Sequence, residues 1–553
     1  MNKAKLGHVI GVCGLALGAL GAVATPAFIQ NTPSRVAANT VSDETSERAI
    51  TLHKYTGTVG KNGTTNPPDG STLTAENKPL KGISFNVTKV TPVAGKTIDA
   101  TDDSTFTKTT TTFTGTTGDD GSVTVSLGST SAADGYYLVT ELQNDAIKQA
   151  ADPFIVHVPM TTKTTAADGT TTSNLTYNVD VFPKNQVNDN LKLNPTKYLL
   201  VPKDDPNTPD VDEAGTETKV ASVPTGSSVS WKLQIDRPAD IHGSETVAGD
   251  TSTSTSNNDD GGTTSTTTKE WKTYASTLEL ADYLDPASMS DPEITQVVIS
   301  TPNTNGGAAT EETLTKDTDY KVTITEKDSD HDGKTAVVVT LTDAGIKKFA
   351  QAATKSTLQA TLSTKVTASS AEVPNTFETH YHGTMTPGTD TTTEKTPGPD
   401  DPGTPKVYFG NIDITKETMS GDPLAKATFT LYSDKDAKNP VLGADNKPVT
   451  AVSGADGKVS FTGLEVDVND KNTEKYYVVE TDAPAGYDVD GQIHEVTATQ
   501  DSDNDLTVKD NDNLMPNLPL TGSQARILFY AMTTGLIVVG AAGVYIIKRR
   551  QNA

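Results

Sequence analysis

Across most of the chain, apolar and polar residues alternate one by one for a short stretch and then stop at Gly, Asp, Asn or Pro. A period of two bounded by turn residues is the pattern of a β-strand with one face in a core. SVSWKLQI (228–235), DYKVTITE (319–326), TAVVVTLT (335–342), FTLYSD (429–434) and KYYVVET (475–481) read this way, with turn signals such as TGDDGS (117–122) and AADGYY (132–137) elsewhere along the chain. The expectation is an all-β chain. In VDVFPKN, Val179, Val181 and Pro183 alternate with Asp180, Phe182 and Lys184. A strand there runs into a proline stop and leaves a lysine just beyond it. That lysine is either an ordinary surface charge or a residue placed there for use.

Both ends break the alternation. Lys3 and Lys5 precede an apolar run at 9–23, followed by the small residues Ala22 and Ala24, which is the layout of a secretory signal peptide. It is assigned to 1–38, with cleavage after Ala24, after Ala27 or near Ala37 and Ala38 all fitting. Near the other end, 527–547 gives about twenty apolar residues, enough to cross a bilayer as a helix. Lys548, Arg549 and Arg550 then begin a basic tail, 548–553, that holds the cytoplasmic side.

Between the ends, a loose leader at 39–50 runs into a first block at 49–190, followed by a middle block at 191–385 and a last block at 407–513. Each block has a length that suits a β-sandwich with Greek-key connections, so the chain reads as three tandem Ig-like β-sandwich domains in an elongated array. TSTSTSNNDDGGTTSTTT (251–268) reads as a mobile low-complexity loop in the middle block. The proline spacing of 386–406 reads as a semi-stiff linker.

Composition narrows the classes. The chain of 553 residues has a formal charge of −26 and 5% aromatic residues, a balance that repels nucleic acid and anionic membranes. Its one cysteine, Cys13, lies in the apolar run of the signal peptide, so no intrachain disulfide forms and an extracellular β protein needs another source of stability. The eight histidines are scattered, and no nucleophile–base cluster of an enzyme is visible. DSDHDGK (328–334) opens like a calcium loop, but Val339 stands where such a loop closes with Glu, so a hairpin turn is the better reading. Neither a metal nor a cofactor is expected.

Three stretches of the last block carry candidate chemistry. In YYVVETDAPAGYDV (476–489), Tyr476, Val478 and Glu480 share a face, which carries Glu480 among apolar residues. In NIDITKET (411–418), Lys416 falls in register with Ile412 and Ile414 and therefore points inward. In DLTVKDNDN (505–513), alternation from Leu506 and Val508 selects Asp510. The succession Glu480, Thr481, Ala483, Pro484, Gly486 and Tyr487 resembles the E-box of pilin and adhesin domains with the collagen-adhesin B-repeat fold. The resemblance implies an internal isopeptide bond between Lys416 and a residue of the last strand, promoted by Glu480. The family's residue type favours Asn511, reached through a small bulge, over Asp510. The physics agrees: an apolar core yields a neutral amine and a protonated acid, and contact replaces an external enzyme.

In the middle block, NPTKYLLVP (194–202), LELADYLDPAS (278–288) and AEVPNTFETHY (371–381) resemble the opening Lys, the acid and the closing Asn of central pilin domains. That implies Lys197, Asp282 and Asn375, with Asp285 as a rival to Asp282. In the first block, Lys54 and Glu141 are two thirds of such a set, and Asn178 or Asn185 is the only candidate for the remainder. First domains of the family often lack the bond, so none is expected here.

The pentapeptide Leu518, Pro519, Leu520, Thr521, Gly522, followed by an apolar span and a basic tail, resembles the LPxTG sorting signal of Gram-positive cell-wall proteins. YNVDVFPKN (177–185) resembles the pilin motif of sortase-assembled pili, with Phe182 in place of the usual tyrosine. Together they resemble the backbone, or major shaft, pilin of such pili. The resemblance implies that a pilin sortase cleaves after Thr521 and joins its carbonyl to a protruding Lys184 amine of the next subunit, giving a covalent homopolymer. A housekeeping sortase, peptidoglycan, minor pilins and a host surface ligand are the other implied partners. The implied location is the cell wall and pilus surface. The alternative is a monomeric wall-anchored adhesin that binds host matrix or glycan.

Overall fold

The structure, a computed structural model, describes residues 42–59, 73–165, 171–201, 217–245, 252–257, 263–268, 271, 273–367, 372–501 and 506–513. The signal peptide, the sorting pentapeptide, the apolar span and the basic tail lie outside the described residues. The chain is all-β, built of three sandwiches in tandem, each around its own core. One α-helix, Asp343–Gln351, occurs among the described residues.

In the first sandwich, strands Asn178–Val181, Arg48–His53 and Ser122–Gly128 form one sheet. Phe106–Thr116, Ser84–Pro92, Gly135–Glu141 and Phe154–Val158 form the other. Their inward positions bury Ile50, Leu52, Phe85, Val87, Val139 and Val179. The first strand and the strand before Phe182 run parallel, with Leu52 beside Val181. The leader is more ordered than its composition suggests. Arg48 is fully buried, its Nη2 donating to Ser42 Oγ at 2.6 Å and its Nε to Asp134 Oδ1 at 2.8 Å, so residues 42–47 close over it.

The middle sandwich pairs a six-stranded sheet, centred on Ser228–Asp236 and Thr357–Val366, with a five-stranded sheet centred on Lys334–Leu341 and Thr277–Leu284. The low-complexity insertion is not a loop: Ser252–Asn257 and Thr263–Thr268 pair as an antiparallel hairpin, since Thr favours strands whatever its polarity. The DSDHDGK stretch does turn between two paired strands, Tyr320–Asp328 and Lys334–Leu341.

The expected linker also differs. Thr392–Lys395 extends the five-stranded sheet, and Lys406–Tyr408 pairs on one side with Val220–Ser222 and on the other with Glu372–Pro374. Val407 and Phe409 are completely buried in the middle core. Proline spacing marks where a helix cannot form, but it does not keep a chain off an open sheet edge. The middle domain therefore runs to Phe409, and the last sandwich begins at Gly410 with no spacer. That sandwich packs Lys458–Leu464, Gly410–Thr418 and Leu506–Asp510 against Thr450–Val452, Thr428–Tyr432, Glu474–Asp482 and Ile493–Ala498.

Candidate functional site

The site in the last sandwich follows from strand phase. Gly410–Thr418 buries every second residue, which puts Lys416 inside after Ile412 and Ile414. Glu474–Asp482 does the same for Tyr476, Val478 and Glu480. The closing strand runs parallel to the first with no register shift, Lys416 beside Val508 and Thr418 beside Asp510. No bulge intervenes, so Asp510 faces inward and Asn511 is exposed, and the preference for Asn511 gives way to strict alternation. Lys416 Nζ lies 3.0 Å from Glu480 Oε2 and also donates to Asp510 Oδ1. Burial pushes the Glu480 carboxyl up to about 7, and contact with Asp510 works in the same direction. A carboxyl that keeps its proton can donate to the acid beside it.

In the middle sandwich, Lys197 and Asp282 are buried and bonded to each other, with Asn375 also buried beside them and Asn375 Nδ2 and Asp282 Oδ1 left without hydrogen-bond partners. Asp285 starts the turn after that strand, accepting from Ala287 N at 2.9 Å, so it is not a member of the set. Burial lowers the Lys197 amine to about 8 and raises the Asp282 carboxyl, each against the pull of its partner's charge. The Lys197 amine also sits 5.4 Å from the Trp231 ring centre, over its face.

The first sandwich assembles a set that was not expected. Lys54 and Asn185 are completely buried. Lys54 Nζ is 2.7 Å from Glu141 Oε2, while the other Glu141 oxygen accepts from Asn185 Nδ2 at 2.5 Å. Asn185 Oδ1 accepts from the Ala151 backbone N–H at 2.9 Å. Burial lowers the Lys54 amine, and the Glu141 charge only partly offsets this. Each lysine amine thus meets an aromatic face, Phe85, Trp231 or Phe429, and an acid that also touches a side-chain amide or second acid. The rings were not singled out in the sequence; Trp231 is on the strand next to Lys197, while Phe85 and Phe429 lie in the facing sheets, opposite Glu141 and Glu480 on the paired strands.

The chemistry open to these sets is amide formation. A neutral lysine Nζ adds to the side-chain carbonyl carbon of Asn185 or Asn375, the adjacent acid protonates the departing nitrogen, and ammonia leaves. At Asp510 the leaving group is water. The Ala151 N–H on Asn185 Oδ1 is placed where negative charge grows as the bond forms.

Lys184 is not a protruding residue. It is 8% exposed, in a short strand, Lys184–Val187, that pairs in parallel with Tyr55–Thr56. Its stem crosses Gly57, where an added Cβ would stand 3.0 Å from Lys184 Cδ and where φ of +147° also favours glycine. The strand before it is held on the solvent side by His53, whose ring stacks on Phe182 with centres 4.6 Å apart and bonds Asp180 Oδ1 at 2.9 Å.

The fold and the buried sets define a class: tandem sandwiches that carry paired amines and acids inside. Sequence families then give that class a name. The model described as Gram-positive pilin subunit D1, N-terminal domain, matches residues 45–186, and the SpaA prealbumin-like fold domain matches residues 410–512. Residues 45–186 are thus similar to a Gram-positive pilin D1 domain, and residues 410–512 to a prealbumin-like fold domain. A curated relative, fimbrial subunit type 2 of Actinomyces naeslundii, is 25% identical over 183 residues, 28% of this chain and 34% of that protein. The chain therefore aligns with about a third of that relative's length. Among solved structures, the full-length major pilin SpaD of Corynebacterium diphtheriae is 19% identical, with 85% of this chain and 98% of that one covered at a TM-score of 0.36. The RrgB pilus protein of Streptococcus pneumoniae is 14% identical, with 86% and 100% covered at a TM-score of 0.41.

Proposed function

We propose that this chain is the backbone subunit of a covalent cell-surface pilus. Sortase would cut after Thr521, and the Thr521 carbonyl would be joined to the Lys184 amine of the adjacent subunit. The observation that supports this most is the position of VDVFPKN: it forms the closing part of a D1-type domain, against the first strand, with a lysine at the domain boundary. The thioester carbon of the acyl-enzyme accepts the Lys184 nitrogen, the sortase thiolate leaves, and the nitrogen gives up a proton. One donor carbonyl and one acceptor amine per chain produce a linear polymer.

The same proposal gives each sandwich an internal crosslink. These are Lys54 to Asn185 with Glu141, Lys197 to Asn375 with Asp282, and Lys416 to Asp510 with Glu480. In a chain whose one cysteine lies in the signal peptide, such bonds take the part disulfides play elsewhere.

Cell-wall extracts test the polymer directly. The wild-type chain is expected to give a high-molecular-weight ladder, and Lys184→Ala to abolish it; a ladder that persists in Lys184→Ala overturns the assignment and favours a monomeric adhesin. Intact mass of the ectodomain tests the crosslinks. The expected deficit is two ammonia molecules and one water, and Asn511→Ala is expected to leave the C-terminal contribution in place.

A further inference from the structure

The acceptor strand carries a side-chain clamp that neither the polymer nor the crosslinks require. Asp180 and Phe182 are two apart and so face the same way along the strand, outward on the side away from Val179 and Pro183. His53 reaches both from the parallel first strand: its ring lies nearly flat on Phe182, with 11° between planes, and its Nε2 bonds the Asp180 carboxylate. Thr51, two residues earlier on the first strand, bonds Asn178 Oδ1 at 3.0 Å and continues the same contact strip. On the other side of the motif, backbone bonds from Tyr55 N–H to Pro183 O at 3.1 Å and from Gly57 N–H to Asn185 O at 2.9 Å hold the chain, together with the buried Asn185 side chain beyond Lys184.

This arrangement matters because Lys184 is packed away. To reach a thioester in an enzyme cleft its side chain has to leave the surface of Gly57 while the backbone beneath it stays in place. Backbone hydrogen bonds at an edge give way more readily than a strand also pinned by a stacked ring and a side-chain hydrogen bond. Phe182, directly before Pro183, is the nearest side chain through which the strand is gripped from solvent. A phenolic hydroxyl is not needed for that grip, which gives Phe182 a physical reason to stand where related motifs have tyrosine.

We infer that His53 is a positioning residue for acceptor transfer, acting through Phe182 and Asp180 to hold the Lys184 backbone while the amine swings out to the acyl-enzyme. This rests on the proposed role of Lys184 as acceptor. His53 touches neither reacting atom; its contribution is to keep the amine's anchor at one place. Loss of positioning in a two-reactant step lowers rate without changing the chemical groups present.

The experiment compares full-length wild type, His53→Ala, His53→Tyr and Lys184→Ala in cells that make the sortases, reading the ladder, the wall-linked monomer, the ectodomain mass and its melting. His53→Ala is expected to reduce polymer by about tenfold or more, the scale of loss that misplacement brings. Monomer should still reach the wall, with mass and melting unchanged. His53→Tyr restores the stack and is expected to recover most of the ladder. A wild-type ladder in His53→Ala overturns the inference. So does a loss accompanied by an altered mass, which would show the change acting through the neighbouring Lys54 crosslink, or a failure of His53→Tyr to rescue. A ladder surviving in Lys184→Ala strikes the acceptor assignment itself, a different result from any of these.

Discussion

At the residue scale, the buried sets are costly unless they react. An amine and a carboxylate taken out of water recover little from their mutual attraction, and removing one partner leaves an unpaired buried charge. An amide abolishes both charges at once. Glu480→Gln keeps the shape of the C-terminal set and removes its acid. It is expected to leave the ectodomain heavier by one water and less stable. The residues to be joined are 94 apart in sequence, for which loop-closure entropy gives a loss of about 4–5 kcal/mol; intact mass and denaturant melts check both. The pH dependence follows from the same group. Glu480 acts with its proton on, and burial raises it from 4.5 to about 7. Bond formation in freshly refolded protein should therefore slow as pH rises through about 7, followed by mass against time. Before the bond forms, the native state holds a proton that the unfolded chain has lost between 4.5 and about 7, so stability falls with rising pH across that window. Lys416, Glu480 and Asp510 were all legible from period-two phase alone. Asn511 was preferred only because residue type outweighed phase. Asn185 was readable only as one of two candidates with Asn178, and no bond was expected: Pro183, Lys184 and Asn185 are buried in succession, so the alternation that would have aimed Asn185 is broken there.

At the element scale, the stretches singled out for their alternation all form strands. Strands were read poorly where both faces are polar. The Thr-rich hairpin and the proline-spaced segment are strands without an apolar face, and composition alone treats them as solvated chain. The strand Lys406–Tyr408 makes this measurable. A fragment covering 191–385 lacks Val407 and Phe409, both fully buried in the middle core. Losing large core side chains costs about 2–5 kcal/mol each. The fragment 191–409 is expected to melt cooperatively and 191–385 to melt at markedly lower temperature or without a sharp transition, as followed by circular dichroism.

At the scale of the whole molecule, the charge of −26 keeps neighbouring chains apart unless they are joined end to end. The three lysine sets also redraw the chain as an object. With the proposed amides in place, 54–185, 197–375 and 416–510 would be closed rings, strung together by two bridges, 186–196 and 376–415. A protease that cuts within a ring opens it without separating anything, because both ends of the cut remain attached through the amide. A single cut severs the fibre only in the bridges or in 511–521, the stretch that leads to the Thr521 linkage. Much of the longer one is folded as strands, Glu378–His382, Thr392–Lys395 and Lys406–Tyr408, against the middle domain. A surface fibre made of such subunits would stay whole through nicks that would shed an ordinary protein from the cell.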